Sequence, residues 1–357
     1  MEDISAILAA AQSAPYSIPR EALASLVALR PGGVRDAFLA AAYAVKLRQT
    51  GPRVFLRGLV EIGNVCSKNC FYCGLRRGNA LVHRYQIPED DVVRMARWAY
   101  EHRFGSVVLQ SGEIASDANT DRIERIVRAI RAFAAEEEFA IVLSNGEQSE
   151  DTYRRWKDAG ATRYLLRIET SNPALYGTLH PADHDWTARR DCLRTLKRLG
   201  YQTGSGVMIG LPGQTFDDLA GDILFFRDED IDMIGMGPFL PHADTPLGTA
   251  AVDNARQLEL GVNMVAAARL FLHDRNIAAT TVLQNLAPDG REQALLAGAN
   301  VIMPNVTDMD FRRDYQLYKK PCIDEVSPGA GPSLNDKIRA IGETIAWGLP
   351  GTPPHVR

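Results

Sequence analysis

The chain has 357 residues, 46% of them hydrophobic, enough for one large enzyme domain with an extensive core or for two ordinary domains. Lys+Arg 40 against Asp+Glu 44 leaves a formal net charge of -4, so no broad field draws in nucleic acid or an anionic membrane. No stretch reaches the roughly 20 apolar residues that span a bilayer, and acids at Glu2 and Asp3 stand where a signal peptide is basic; the expectation is a soluble cytoplasmic protein.

Residues 1–50 read as a helical extension punctuated by turn signals at Ser17, Pro19, Pro31 and Gly32, with Leu23, Leu26 and Leu29 at helical spacing. From residue 53 short apolar runs alternate with longer amphipathic ones. Strands are predicted over 54–62, 106–111, 140–144, 163–169, 205–210, 233–237, 278–283 and 301–304. Helices are expected between most of them; in DRIERIVRAIRAFAAE, Ile123, Ile126, Val127, Ile130 and Phe133 form an apolar stripe. Eight strands with helical crossovers predict an α/β fold, a (β/α)8 TIM-type barrel over 51–325, with an open doubly wound sheet as the alternative. Polar or glycine-rich residues end nearly every run, as at Ser111-Gly112-Glu113, Glu169-Thr170 and Thr280-Thr281, and converging polar loops are how a barrel builds its active site. Residues 326–357 read as a tail packed on the barrel, with KIRAIGETIAWGL as a final surface helix.

Chemistry concentrates in EIGNVCSKNCFYCGLRRGN, which spaces Cys66-x3-Cys70-x2-Cys73. Five cysteines in all, three of them in eight residues, do not resemble an extracellular disulfide framework and point to a metal centre. Soft thiolates this close can wrap one corner of a cubane cluster, and three ligands on four irons leave one iron open for a cofactor or substrate. The competing readings are inert buried thiols, a redox dithiol, and zinc with a distant fourth ligand such as His83 or Cys322. Cys192 is expected to pack on a helix.

With Tyr72 just before the last cysteine, this motif at the end of a first barrel strand resembles the radical S-adenosylmethionine (SAM) superfamily. The resemblance implies one [4Fe–4S] cluster on Cys66, Cys70 and Cys73, chelated by SAM, which is split reductively to a 5′-deoxyadenosyl radical. A one-electron donor such as flavodoxin or ferredoxin is implied as a partner. Ser111-Gly112-Glu113 resembles the superfamily's Gly-Gly-Glu element and would meet the methionine amino group. Glu169 is a second cofactor contact, and Arg189 a partner for the methionine carboxylate. Helix capping by Glu113 and a solvated Arg189 are the bland alternatives.

Further segments, among them VVLQSGE, AGATRYLLRIETSNPALYGTLHP, GYQTGSGVMIGLPGQTFDDLAGDILF and NIAATTVLQNLAPDGREQALLAGANVIMPN, resemble the [FeFe]-hydrogenase maturase family HydE. That likeness implies action on a cysteine-bound Fe(CO)2(CN) species during assembly of the binuclear iron site, with other hydrogenase maturases as partners. It places Arg163 and Arg167 on the cavity wall, Arg163 against a carboxylate. Thr280 and Thr281 would offer hydroxyls, Met303 would come from the eighth strand, and Tyr315 and Tyr318 would close the bottom. Two departures stand out: the family shows Arg-His-Glu-Thr where this chain has Arg167-Ile168-Glu169-Thr170, and the C-terminal region carries Cys322 alone, which predicts a single cluster. Alternatives are a methylornithine-synthase-like mutase, another enzyme acting on a small amino-acid-derived substrate, and a sulfur-inserting enzyme like biotin synthase.

Overall fold

Val, Ile and Leu fill the short runs so densely that both faces must be covered, the signature of a parallel sheet under helices. The computed structural model describes residues 4–318 and 333–356. Its strands are β1 (Arg53–Gly63), β2 (Ser106–Ser111), β3 (Ala140–Ser144), β4 (Arg163–Leu165), β5 (Gln202–Ser205), β6 (Met208–Ile209), β7 (Met233–Ile234), β8 (Gly237–Pro238), β9 (Asn276–Ile277), β10 (Val301–Ile302) and β11 (Thr344–Ile345). The main sheet runs β10-β1-β2-β3-β4-β5-β7-β9, with β11 beside β1, and β6 pairs β8 separately. Every ladder is parallel.

The sheet curls, but its two ends meet only at an isolated bridge between Ala278 and Val301. The architecture is therefore an α/β fold with a curled, open sheet, and the expected closed barrel is not formed by a continuous ladder. Within the sheet, glycine interrupts two of the strands. At Gly206 a Cβ would come within 2.0 Å of Gly235 O, so backbone packs on backbone there and the strands break into two-residue pieces.

Helices cover the outer face. Asp117–Arg131 buries Ile123, Ile126, Val127 and Ile130, and Ser116 caps it by accepting from Asn119 N. Phe216–Asp228 starts with a reciprocal capping box between Thr215 and Asp218. The N-terminal extension forms the helices Ile4–Ser13, Arg20–Ala28 and Gly33–Thr50. It is bonded to the outer shell: Asn263 Nδ2 donates to Val27 O and Leu29 O, both at 3.0 Å. Lys46 pairs with Glu343 at 2.8 Å, both side chains fully buried.

Several expected elements differ. Residues 278–283 are no strand: β9 ends at Ile277, and Thr280 opens a short helix, Thr281–Leu286. The expected strand 205–210 is displaced and split into β5 and β6. The final helix ends at Ala340; Gly342 takes φ 79, β11 joins β1, and the chain then crosses the N-terminal ends of the strands. There Pro350 O accepts from Arg163 Nη1 at 2.7 Å and Gly351 O accepts from Asn276 Nδ2. Cys322 and residues 324–331 lie outside the described residues.

Candidate functional site

Loops leaving the C-terminal ends of the strands surround a cavity of about 360 Å³, lined among others by Cys66, Cys70 and Cys73. The three cysteines follow directly on β1 and are not paired in disulfides. Ser67 N donates to Glu113 O at 2.8 Å, and Glu113 N faces Cys66 Sγ at 3.4 Å. This close approach explains Gly112, where a Cβ would fall 2.2 Å from Val65 O. On the other side, His184 Nε2 accepts from Asn69 N at 3.0 Å, and Tyr72 meets His180 edge-on with ring centroids 5.5 Å apart.

An all-sulfur donor set on one short loop, aimed into a cavity and braced by main-chain N–H groups, fits a cubane cluster. Burial pushes the Cys70 thiol up to about 12 and raises Cys66 and Cys73 as well. Bound iron would replace those protons. Among the described residues, the one group of three His, Cys, Asp or Glu side chains close enough to hold an ion is Asp230, Asp232 and His355. It lies at the opposite end and is already paired with Lys197 and Arg275.

Beside the cysteines lies a network of four charges. Lys68 Nζ is 3.3 Å from Glu113 Oε1 and 2.8 Å from Glu147 Oε2. Arg189 Nη1 is 2.6 Å from Glu147 Oε1 and 4.0 Å from Glu113 Oε2, and its Nε donates to Arg167 O at 2.6 Å. Arg189 is thus a half-buried, ion-paired cavity residue, not a solvated one. Glu113 caps no helix; its Oε2 accepts from Glu147 N at 2.8 Å. Burial raises the Glu113 pKa even against Arg189 and Lys68. Gly146 makes room for that carboxylate: it sits at φ 76, and a Cβ there would lie 2.2 Å from Glu113 Oε2.

Glu169 leaves β4 in the left-handed region at φ 68, a conformation unusual outside glycine and concentrated at functional positions. Arg167 fixes it: Nε lies 3.1 Å from both carboxylate oxygens, while Nη1 donates to Gly235 O and Nη2 to Val207 O. Also on the cavity wall, Gln110 Nε2 donates to Tyr315 Oη at 3.2 Å, and Thr280 Oγ1 to Met236 O at 2.9 Å. Thr281, Met303 and Tyr318 line the same space, as do Tyr72, Ser111, Gly112 and Arg167. Burial pushes the Tyr318 hydroxyl up to about 12.

One expected cavity residue is elsewhere. Arg163 is the first residue of β4, at the opposite end, bonded to Pro350 O and to Thr352 Oγ1 at 3.4 Å. Strand polarity explains it: the cavity opens where β4 ends, so Arg167 and Glu169 reach it. Cys192 borders the core, as expected. Missed in the sequence were Glu147, Gln110 and His180. Gln110 and His180 each stand in a segment already noted, VVLQSGE and the one ending in LHP, while Glu147 carried no signal. The His180 ring stacks on Tyr176 at 3.8 Å, and burial lowers its pKa to about 4, so it is neutral near pH 7.

Residues 60–226 match the sequence pattern of the radical SAM superfamily. The [FeFe] hydrogenase maturase subunit HydE of Thermotoga maritima is 43% identical over 332 residues, covering 92% of this chain and 93% of that one. The 3-methylornithine synthase of Methanosarcina barkeri is 26% identical, over 80% and 79%. Among solved structures, methylornithine synthase (PylB) superposes with a TM-score of 0.80 at 21% identity, covering 97% of this chain and 98% of that one. The FeFe-hydrogenase maturase HydG of Carboxydothermus hydrogenoformans reaches 0.78 at 18%, covering 97% and 80%. No helix among the described residues is long and apolar enough to cross a membrane. With its Cys66-x3-Cys70-x2-Cys73 loop lining the cavity, a spacing that supports a [4Fe–4S] cluster and the use of SAM, the chain belongs to the radical SAM superfamily and is a radical SAM enzyme.

Proposed function

We propose that this enzyme turns the radical derived from SAM on a small amino-acid-derived substrate held beneath the cysteine loop. One observation carries the reading: a single cavity is lined by the three thiols and the acids Glu113 and Glu169 together with Gln110, Thr280, Thr281, Met303, Tyr315 and Tyr318. Cluster and SAM supply a one-electron reduction and a carbon-centred radical; the chain's own groups bind, orient and exclude water. Glu113 and Glu169 offer acceptors for an ammonium group, held in place by Lys68 and Arg167. Ser111 and Gly112 bring main-chain groups to the same cavity. Arg189, already shared with Glu147, adds positive charge for a carboxylate. The electron comes from a donor of the flavodoxin or ferredoxin class.

Within this reading the substrate takes one of two forms. A cysteine-bound Fe(CO)2(CN) species, as in assembly of the [FeFe]-hydrogenase binuclear site alongside other maturases, is favoured by the 43% identity to HydE over nearly the whole chain. A free amino acid undergoing carbon-skeleton rearrangement is favoured by the likeness to 3-methylornithine synthase in sequence over 80% of the chain. The wider amino-acid reading is common to both.

The deciding experiment gives the anaerobically reconstituted enzyme SAM and reductant with either isotope-labelled lysine or a cysteine-bound iron carbonyl cyanide complex. A rearranged amino acid supports the mutase, and adenosyl transfer to the complex supports the maturase. Formation of 5′-deoxyadenosine that neither compound stimulates rejects both forms.

A further inference from the structure

The cysteine loop is stapled by one side chain that takes no part in the charge network beside it. Arg84 lies on the return from the loop. Its Nη1 donates to Asn64 O at 2.7 Å and to Leu75 O at 2.8 Å, and its Nη2 to Arg76 O at 2.8 Å and Asn79 O at 3.2 Å. Asn64 stands two residues before Cys66, and Leu75 two residues after Cys73. One planar guanidinium thus holds the entry and exit of the ligand loop together, a geometry that the single nitrogen of lysine cannot reproduce.

These bonds run to carbonyls, not to a carboxylate, so the positive charge is not neutralised by them. Of the cations on the cavity side of the loop, Lys68 and Arg189 are shared between Glu113 and Glu147. Through Asn64 O, two residues before Cys66, the guanidinium is held against the start of the ligand loop. The Leu75 peptide, whose carbonyl Arg84 holds, turns its N–H toward Cys73. Hydrogen bonds to ligand sulfurs and nearby charge are the protein's means of setting a cluster's potential.

We propose that Arg84 is a positioning residue for the cluster: it clamps the two ends of the Cys66–Cys73 loop and, through the positive charge it holds against the loop's carbonyls, favours the form that has gained an electron. The electron is supplied by the external donor, and no bond forms or breaks at Arg84.

The test compares wild type, Arg84→Lys and Arg84→Gln. In the iron-free proteins, amide exchange over 64–79 reads the clamp. In the reconstituted proteins, a redox titration followed by electron paramagnetic resonance reads the charge. Exchange across the loop is expected to quicken in both variants. At a fixed potential, the reduced-to-oxidised ratio of Arg84→Gln is expected to fall roughly tenfold, about 59 mV for one electron, while Arg84→Lys stays near wild type. Unchanged loop exchange in the iron-free variants overturns the clamp. An unchanged potential in iron-replete Arg84→Gln overturns the electrostatic role. Should Arg84→Gln hold no iron, the charge role stands or falls on Arg84→Lys, which overturns it by shifting as far as the loss of charge would demand.

Discussion

Arg167 Nε sits 3.1 Å from each carboxylate oxygen of Glu169, two positions along the chain. Arg167 and Glu169 both line the cavity, while Ile168 between them is fully buried in the hydrophobic core. The departure from the family's histidine therefore falls outside the cavity wall. Ile168→Ala is expected to cost about 2–5 kcal/mol of stability through the cavity it leaves without changing the product. A changed product ratio would show that position 168 reaches the substrate.

Glu169→Gln keeps the shape but removes the charge that Arg167 grips. The expected result is at least a tenfold loss in SAM cleavage, measured as 5′-deoxyadenosine per enzyme, with the protein still folded. Arg167→Lys, which cannot span both oxygens and two carbonyls, is expected to show the same defect in milder form.

Cys66→Ser, Cys70→Ser and Cys73→Ser are each expected to lower bound iron and abolish 5′-deoxyadenosine formation, because all three thiols come from one loop. Cys192→Ser is expected to leave both intact. Turnover surviving the loss of any one loop thiol would contradict a three-ligand cluster.

Arg163 is fully buried beneath the tail that crosses the strand ends, and its loss would strand Pro350 O without a donor. Arg163→Met is expected to lower stability by about 1–3 kcal/mol and to leave the Michaelis constant for substrate unchanged. A raised Michaelis constant at normal stability would return this residue to the cavity.

Lys46 and Glu343 tie the N-terminal extension to the C-terminal segment with no water around them. Breaking such a pair leaves a buried charge alone, so Lys46→Met is expected to cost about 3–5 kcal/mol. Lys46→Met with Glu343→Leu is expected to recover much of that. Denaturant melts of the two single variants and the double variant measure the coupling.

Asp222 is fully buried, accepts from Ser171 N at 2.6 Å, and has its pKa pushed up to about 7, mainly by burial. Folding thus favours the protonated form. Its contribution is complete below the unfolded-state pKa near 4 and is lost as pH rises through about 7. Asp222→Asn is expected to flatten the decline in stability between pH 4 and pH 7, a difference on the order of a few kcal/mol. An equal slope in both proteins would place the effect elsewhere.

Much of the site was legible because its chemistry is local. Cys66, Cys70 and Cys73 sit within eight residues, and Ser111-Gly112-Glu113 and Arg167/Glu169 mark the exits of strands visible as apolar runs. The later strands were read less well. Thr280 and Thr281 look like strand formers by propensity, yet they cap and open a helix. KIRAIGETIAWGL has helical spacing, but Gly342 turns the chain and β11 finds a partner in β1. Long-range pairing overrides local preference at such places.

The order of residues alone determined the ligand set, the alternation of sheet and helix, and which strand ends would carry polar groups, because each depends on neighbours a few positions apart. Tertiary structure decided that Arg163 belongs to the opposite end, that Glu147 joins Lys68, Glu113 and Arg189, and that the sheet ends meet only at one bridge. Those outcomes depend on contacts between segments tens to hundreds of residues apart, where strand polarity and the competition for buried partners choose among side chains that look alike in sequence.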